Sequence, residues 1–330
     1  EVTNTEVITS INDIPNHDDD GELDPIVNNR LITGMLVKGT AANPIIYVSS
    51  SDPRTNEQDT SQLGVKSNLD TNSGMVSKLY KVGSNWERLD LVRGLPRSEE
   101  VHASNGMQLD ENTNILYLAQ GGHTNMGSPS FLFSYTPEYA LSSSILTIDL
   151  NMIGNTTFDL LTLNDEDRPD VLNPSFGMED ENDPFGGNQG KNMAMLKVGS
   201  PVQVLASGFR NAYDVLIASN GKIYTIDNGP NGGYGGWPAN CTNDTVEGGT
   251  SSNRDGLFLV EGNMFYAGHA NPTRGNYNNV FNTSNPQHPV DSSLINPDEC
   301  DYEHFPDIIY NFDGSTNGFC EYTASNFSGV

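Results

Sequence analysis

The stretch Asp214-Val-Leu-Ile-Ala-Ser-Asn-Gly-Lys-Ile-Tyr-Thr-Ile226 holds two short runs of β-branched and apolar residues, joined by Ala-Ser-Asn-Gly. An Asn-Gly pair between two such runs is a strong signal for a β-hairpin, because both residues readily adopt the positive φ angles that a tight turn needs. We therefore predict antiparallel strands at 214–217 and 222–226. The same pattern predicts a second hairpin over residues 78–92, with Gly-Ser-Asn at its turn.

A strand motif with a central tyrosine occurs three times, and each copy runs into a polar loop rich in Gly, Asp or Asn. The motifs are centred on Tyr47, Tyr117 and Tyr224, which lie 70 and 107 residues apart. Propeller blades of four short strands span about 40–50 residues, so one blade with an insertion and then two blades fit these spacings. A β-sandwich would also contain many short strands, but it would not explain the repeated strand-to-loop motif. Further short strands are predicted at 31–37, 45–48, 115–119, 145–150, 202–206, 257–260 and 308–312.

The helix signal is weak, because no long stretch keeps an apolar periodicity of 3.6 residues. The pattern therefore predicts an all-β fold and favours a β-propeller. We expect an acidic segment at 1–30 that leads into a propeller at 31–330. Two long polar stretches, at 164–192 and 228–255, are expected to be functional loops or insertions within that propeller.

The charge balance excludes several kinds of partner. The chain has 330 residues, with 16 Lys and Arg against 43 Asp and Glu, for a net charge of −27. Nucleic acid needs clustered cations on the protein, and anionic membranes attract basic segments, so both are unfavourable partners. No apolar run approaches the roughly 20 residues that a bilayer-spanning helix needs. Aromatic residues make up 8% of the chain, which is ample for a packed core.

The cysteines and glycosylation sequons indicate an extracellular or periplasmic protein, whose signal sequence has already been removed if it is secreted. Cys241, Cys300 and Cys320 form no Cys-x-x-Cys pair, which excludes a zinc ribbon or a thioredoxin motif. They are compatible with one disulfide and a free thiol, or with three buried thiols. Candidate N-glycosylation sites in Asn-x-Ser/Thr sequons are Asn155, Asn240, Asn243, Asn282 and Asn326.

Oxygen-bearing side chains alternate near the N-terminus and predict a calcium site. The candidate ligands are Asn16, Asp18, Asp20, Glu22 and Asp24, with a Gly turn among them. Calcium is a hard cation that prefers such oxygen ligands. The loop is not an EF-hand, since its twelfth position is Val rather than Glu, and a solvated acidic loop is the alternative. A second site could be formed by Asp183, Asn188, Asp227 and Asn228.

Several longer motifs resemble the glucose/sorbosone dehydrogenase family, the soluble quinoprotein sugar dehydrogenases. One is Gly94-Leu-Pro-Arg-Ser-Glu-Glu-Val-His-Ala-Ser-Asn-Gly106, followed by Ile115-Leu-Tyr-Leu-Ala-Gln-Gly-Gly122. The others are Gly208-Phe-Arg-Asn-Ala-Tyr-Asp214, Gly221-Lys-Ile-Tyr-Thr-Ile-Asp-Asn-Gly-Pro-Asn231 and Gly268-His-Ala-Asn-Pro-Thr-Arg-Gly275.

The resemblance implies a six-bladed β-propeller that binds pyrroloquinoline quinone (PQQ) and calcium and oxidises sugars or alcohols. It implies that His102 is the general base that takes the proton of the substrate hydroxyl, and that Arg210 and Asn211 bind the quinone. A histidine suits proton transfer near neutral pH, and a fixed cation stabilises charge that develops on the quinone. His269 and Arg274 are expected only to shape a turn around the Asn-Pro pair that follows His269.

Two departures from the family pattern lead to an alternative hypothesis. Gly106 follows His102 by four positions instead of three, and the late Arg and Lys residues that hold the PQQ carboxylates in the family have no counterpart that we can place. The chain ends before the family's final strands, so another segment or chain is expected to close the propeller. The alternative is a non-catalytic structural, adhesive or filament-forming module of a larger secreted glycoprotein. Its open β-edges would pair copies of the chain.

Overall fold

The computed structural model describes residues 5–8, 10–18, 22–55, 68–162, 193–249, 255–262, 265–279, 288–302, 308–312 and 314–324. The expected insertion at 164–192 lies outside the described residues. So do five of the residues named above, which are Asp20, Asp183, Asn188, Asn282 and Asn326.

Strands dominate the described residues, as the short apolar runs predicted. The strands are β1 (Asn16–His17), β2 (Leu23–Asp24), β3 (Leu31–Gly39), β4 (Pro44–Ser51), β5 (Gly74–Val82), β6 (Asn85–Leu95), β7 (Ser104–Asp110), β8 (Ile115–Gln120), β9 (Ser144–Asp149), β10 (Phe158–Asp159), β11 (Val202–Ser207), β12 (Ala212–Ile217), β13 (Ile223–Asp227), β14 (Asp255–Val260), β15 (Phe265–Tyr266) and β16 (Tyr310–Phe312). The helices are single turns, α1 (Leu150–Ile153) and α2 (Pro272–Gly275). The all-β prediction is therefore confirmed.

Three antiparallel meanders of four strands form the body of the described structure. The first is β3-β4-β5-β6, the second is β7-β8-β9-β11 and the third is β12-β13-β14-β16. Strand β10 adds to the first sheet in parallel with β6, and β15 adds to the second in parallel with β11. Both predicted hairpins are present, as β5-β6 and β12-β13. The three tyrosine motifs lie on β4, β8 and β13, each of which is the second strand of its meander.

The first strands of the three meanders lie side by side, with β7 between β3 and β12. Hydrogen bonds join them, since the Thr33 hydroxyl donates to the Ser104 carbonyl and the Asn105 Nδ2 donates to the Ala212 carbonyl at 2.8 Å. Glycines permit this close approach. A Cβ added at Gly34 would lie 2.1 Å from the Asn105 carbonyl oxygen.

The apolar core fills the spaces between neighbouring sheets. One cluster joins the first and second sheets, through Val76 and Leu95 on one side and Leu116 and Ile148 on the other. A second cluster joins the second and third sheets around Phe209. Period-two alternation along the strands sends these side chains to the shared face, where their burial stabilises the sheet stacking.

Buried arginines organise the loops at one end of the sheets. The Arg97 guanidinium donates to the carbonyls of Asp52 (3.1 Å), Arg54 (2.7 Å) and Glu100 (2.8 Å). The Arg274 guanidinium forms an ion pair with Glu299 at 2.8 Å and is 1% exposed. Each arginine satisfies backbone carbonyls that secondary structure leaves unpaired, which allows these loops to be buried.

One disulfide ties two of these loops together. Cys241 and Cys300 are bonded, while Cys320 is a free, exposed cysteine. Of the two arrangements that the sequence allowed, the structure therefore has one disulfide and one free thiol. Within the described part of the chain, no helix is long and apolar enough to cross a membrane.

Replacing Gly34 with Ala tests the close packing of the first strands. The new Cβ would overlap the Asn105 carbonyl and the Ser49 hydroxyl, so we expect the free energy of unfolding to fall by about 3 kcal/mol. Gly318→Ala is the matched control, because its Cβ would meet only the Asp214 carboxylate, at 3.7 Å. Urea denaturation of both variants measures the difference. Equal stability of the two variants would contradict this packing.

Removing the disulfide by the double change Cys241→Ser and Cys300→Ser should destabilise the protein. The bond closes a loop with a sequence separation of 59 residues, and its loss returns that conformational freedom to the unfolded chain, at a cost of about 4 kcal/mol. Thermal unfolding with and without a reducing agent gives a second measurement. Cys320→Ser serves as the control and should leave the melting temperature unchanged.

Candidate functional site

A cavity of about 40 Å³ opens between loops of the second and third sheets. Its polar lining comes from Asn125, Arg210, Asp227 and His269. Its apolar lining comes from Met126, Trp237, Phe258, Ala267 and Ile308. A mainly apolar wall with a few convergent polar groups is typical of the lining of a small-molecule site. Typical ligand pockets enclose about 300–1,000 Å³, however, so a larger ligand would extend out of this cavity into solvent.

Arg210 is the cation of this cavity. It lies just before the third sheet, and its backbone N–H donates to the Asp227 Oδ2 at 3.1 Å. Its Nε donates to the Asn125 Oδ1 at 3.1 Å, whereas neither terminal guanidinium nitrogen has a hydrogen bond with a described residue. The side chain is only 5% exposed. A buried guanidinium with unused donors is costly without a partner, so this position is suited to an anionic or carbonyl-bearing ligand.

Asn211, the predicted partner of Arg210, takes a structural position. Its Oδ1 accepts a hydrogen bond from the Asn105 Nδ2 at 3.0 Å, and its backbone N–H donates to the Asp227 Oδ1 at 2.7 Å. The side chain does not line the cavity. The two adjacent residues therefore differ in role, because Arg210 faces the cavity and Asn211 ties its loop to β7.

Asp227, at the end of β13, has a strongly perturbed carboxyl group. Burial raises the pKa of Asp227 to about 6, although the backbone N–H groups of Asn211 and Arg210 oppose this by stabilising the carboxylate. A carboxyl group that titrates near neutral pH beside a cavity marks a candidate functional position. The sequence pointed to Asp227 only as a ligand in the second calcium site, together with Asn228. The Asn228 Oδ1 accepts a hydrogen bond from the Thr316 N–H at 2.9 Å.

His269 also faces the cavity, and a buried carboxylate holds it. Its Nε2 lies 2.9 Å from the Glu138 Oε1, and Glu138 is fully buried. The sequence analysis expected His269 only to shape a turn, and it did not single out Glu138. These two residues are 131 positions apart, so no local spacing could have revealed the pair.

The structure places His102 in a different, closed environment. Its Nδ1 lies 2.9 Å from the Gly122 carbonyl oxygen and its Nε2 lies 3.5 Å from the Glu100 Oε2. The ring is 2% exposed, packs at 5.4 Å from the Phe133 ring and does not line the cavity. Burial lowers the pKa of His102 well below its usual value, and the charge of Arg210 lowers it further.

Three of the five predicted calcium ligands near the N-terminus, Asn16, Asp18 and Asp24, contact arginine side chains. Arg54 forms ion pairs with Asp18 at 2.5 Å and with Asp24 at 3.2 Å, and the Asn16 Oδ1 accepts a hydrogen bond from Arg30 at 2.8 Å. A guanidinium among the carboxylates repels a divalent cation, so the donors present do not fit calcium. In the described residues, no group of three or more His, Cys, Asp or Glu side chains is placed to hold a metal ion.

The sequons that the structure describes differ in accessibility. Asn155 and Asn240 are exposed, as a glycan would require. Asn243 is partly buried, and its Nδ2, the atom that would carry a glycan, donates to the Thr273 hydroxyl at 3.0 Å. Asn155 and Asn240 are therefore the better candidates for modification.

Comparison with known proteins finds similarity in structure alone. No family model and no curated protein matches the sequence. Among solved structures, the PQQ-bound aldose sugar dehydrogenase of Streptomyces coelicolor matches with a TM-score of 0.30 and 11% identity, over 68% of this chain and 43% of that one. The PQQ domain of Coprinopsis cinerea pyranose dehydrogenase matches with a TM-score of 0.36 and 10% identity, over 72% and 53%.

A third similar structure is an oxidoreductase of Thermus thermophilus, described as a glucose dehydrogenase. It matches with a TM-score of 0.32 and 16% identity, over 67% of this chain and 46% of that one. These three structures are described as sugar or glucose dehydrogenases, the class of enzyme that the sequence motifs resemble. The chain spans about half the length of these three proteins.

The Asp227→Asn variant tests the perturbed carboxyl group at the cavity. The pKa of Asp227 is higher in the folded protein, at about 6, than in the unfolded chain, so the folded state binds the proton more tightly. Its contribution to stability is therefore fully present below the unfolded pKa of 3.8 and is lost as the pH rises to about 6. That loss is about 3 kcal/mol.

The measurement is the free energy of unfolding of wild type and of Asp227→Asn, from pH 3.5 to 7. The buried histidines titrate in both proteins, so their contribution cancels when the two free energies are subtracted. We expect the wild type to lose stability relative to the variant as the pH rises. A difference that stays constant with pH would contradict the raised pKa.

Proposed function

We propose that this chain belongs to an extracellular quinoprotein that oxidises sugars or alcohols with PQQ, and that it forms half of a six-bladed propeller. The observation that carries the proposal is the buried Arg210, whose terminal guanidinium nitrogens are unpaired among the described residues and lie at the cavity. The remaining blades would come from another part of the protein or from another chain.

The donors at the cavity fit an anionic quinone. PQQ carries carboxylates and quinone oxygens, which are acceptors for the unused guanidinium N–H groups, and charge-assisted hydrogen bonds of this kind are strong. When bound, PQQ supplies a two-electron oxidant that accepts the hydrogen of the substrate C–H bond as hydride. Arg210 would orient the cofactor and stabilise negative charge on it.

The apolar wall fits the planar part of such a ligand. Phe258, Met126 and Ile308 line the recess, and Trp237 lies at its edge with 38% of its surface exposed. Once a ligand is bound, these apolar side chains would leave little room for water around it, which would strengthen the interaction between Arg210 and an anionic group. Trp237 also offers an aromatic face to a sugar or alcohol that enters from solvent.

The proposed location outside the cell is supported by the cysteines and sequons. The Cys241–Cys300 disulfide suits an oxidising compartment, and Asn155 and Asn240 are accessible for glycosylation. Calcium is not included in the proposal, because Arg54 forms ion pairs with Asp18 and Asp24, two of its predicted ligands.

Two observations favour the second candidate, a non-catalytic module that assembles through its sheet edges. His102, the base implied by the resemblance, is 2% exposed and lies outside the cavity lining. Strand β16 forms the outer edge of the third sheet, and its Tyr310 is 61% exposed. An edge of this kind can accept a strand from a second copy of the chain.

Fluorescence titration with PQQ tests the main proposal. The chain has two tryptophans, Trp86 and Trp237, so the Trp86→Phe variant leaves Trp237 as the single reporter at the cavity. We expect saturable quenching of Trp237 by PQQ. Arg210→Met in this background should raise the Kd about 10- to 100-fold, because hydrogen bonds to a charged group contribute about 1.5–3 kcal/mol.

Arg88→Met is the matched control, since Arg88 lies on β6 beside Asp90, away from the cavity, and it should bind PQQ like the parent. Folding of each variant is checked by thermal unfolding. Equal Kd values for Arg210→Met and Arg88→Met would contradict the assignment of Arg210. A folded protein that shows no saturable quenching, but sediments as larger species at higher concentration, would favour the assembly module.

A further inference from the structure

We propose that His269, held in place by Glu138, is the general base of the cavity. The inference rests on the proposed function, because it assigns a residue to the oxidation of a hydroxyl group. It replaces His102, which the resemblance implied for this role. The inference follows from the contacts of Glu138, the tautomer that these contacts impose on His269, and the position of the imidazole at the cavity.

Glu138 is a buried carboxylate surrounded by hydrogen-bond donors. It accepts from the backbone N–H of His123 at 3.0 Å, from the backbone N–H of Thr124 at 2.9 Å and from the Thr124 hydroxyl at 2.6 Å. The Ser142 hydroxyl donates to it as well. Burial alone would raise the pKa of Glu138, but its hydrogen bond with His269 and its other donors lower it overall. Glu138 is therefore ionised near neutral pH and can only accept hydrogen bonds.

An ionised Glu138 fixes the tautomer of His269. Because the carboxylate has no proton to donate, the His269 Nε2, 2.9 Å from the Glu138 Oε1, must carry the hydrogen. In the neutral imidazole the lone pair then lies on Nδ1. This Nδ1 has no hydrogen bond with any described residue, and His269 lines the cavity. The backbone N–H of His269 donates to the Gly208 carbonyl at 2.8 Å, which anchors the residue from its other end.

This pair matches a recurrent catalytic arrangement of base and orienting group. A buried carboxylate that binds one ring nitrogen holds the imidazole in position, and it stabilises the imidazolium that forms when the other nitrogen takes a proton. The contacts of His102 differ. The Gly122 carbonyl accepts from its Nδ1, and its Nε2 faces Glu100 instead of the cavity.

The proton and electron balance of the step is simple. The substrate O–H bond breaks and its proton goes to the His269 Nδ1. Bound PQQ would supply the two-electron oxidant that takes the hydrogen of the adjacent carbon together with its bonding electron pair, which would leave a C=O double bond on the substrate. His269 would become an imidazolium and later release its proton to solvent.

Paired substitutions test the assignment through separate binding and rate measurements. His269→Gln keeps an N–H that can donate to Glu138 but removes the basic nitrogen. We expect the Kd for PQQ to stay within about twofold of wild type, while dye-linked turnover of a sugar panel falls by about 100-fold or more, the usual contribution of a general base. His288→Gln, whose parent residue stacks on Tyr277, is the control and should keep wild-type turnover.

Glu138→Gln tests separately whether Glu138 orients His269. It should also lower turnover, and the pH profile should shift, because the imidazolium loses its negative neighbour. His102→Gln is measured beside them. A loss of turnover in His102→Gln that exceeds the loss in His269→Gln would overturn the inference.

The tautomer of His269 provides a readout that does not depend on turnover. In ¹⁵N-correlated NMR spectra of the full chain, the His269 signals are identified by their absence in His269→Gln. In the neutral ring we expect a protonated Nε2 and an unprotonated Nδ1, and a shift of the Nδ1 signal when PQQ is added. A protonated Nδ1 in the neutral ring would overturn the inference.

The outcomes separate the inference from the proposed function. If the wild type binds no PQQ, the proposed function is wrong. If the neutral His269 ring in the same sample also carries its proton on Nδ1, the proposed arrangement of His269 and Glu138 is wrong as well. If PQQ binds and turnover survives in His269→Gln, the proposed function stands and the inference is overturned. Binding with turnover lost in His269→Gln, together with the Nε2–H tautomer, supports both.

Discussion

The hydrogen bonds of Asn105 connect the three sheets, and the position of the cavity depends on them. Its carbonyl oxygen accepts from the Ser49 hydroxyl of the first sheet at 2.8 Å, and its Nδ2 donates to the Asn211 Oδ1 and to the Ala212 carbonyl at the start of the third. The backbone N–H of Asn211 in turn donates to Asp227. This chain of contacts fixes the turn that carries Arg210, so the spacing of the sheets determines where the cation of the cavity lies.

Much of the fold could be predicted from the sequence, because strands and hairpins depend on neighbouring residues. The Asn-Gly turn before Lys222 and the tyrosine-centred strands were identified by local spacing alone. The arrangement of the site could not be predicted in the same way. Glu138 and His269 meet only when β15 has paired with β11 in the second sheet, and no alternation or turn signal links them.

The family resemblance singled out Arg210 and Asn211 for the quinone, and the structure places only Arg210 in the cavity lining. Arg210 lines the cavity, whereas the side chain of the adjacent Asn211 binds Asn105 on β7. A sequence motif shows that the two residues are adjacent but not that their side chains have different surroundings. The acidic run near the N-terminus has the composition of a calcium loop, but Arg54, from a distant part of the chain, supplies the compensating charge. The composition of a segment shows which charged groups are present, but it does not show which partners they contact in the folded protein.

The separation of the cavity residues along the chain has a consequence for folding. Asn125, Glu138 and His269 come from loops of the second sheet and Asp227 from the third, so a chain with only one of these sheets formed has an incomplete ligand site. A ligand of this cavity would bind the native state and not partly folded ones, and its binding energy would add in full to native stability. During synthesis, occupancy would therefore begin only after the third sheet had docked, which makes ligand binding a reporter of complete folding.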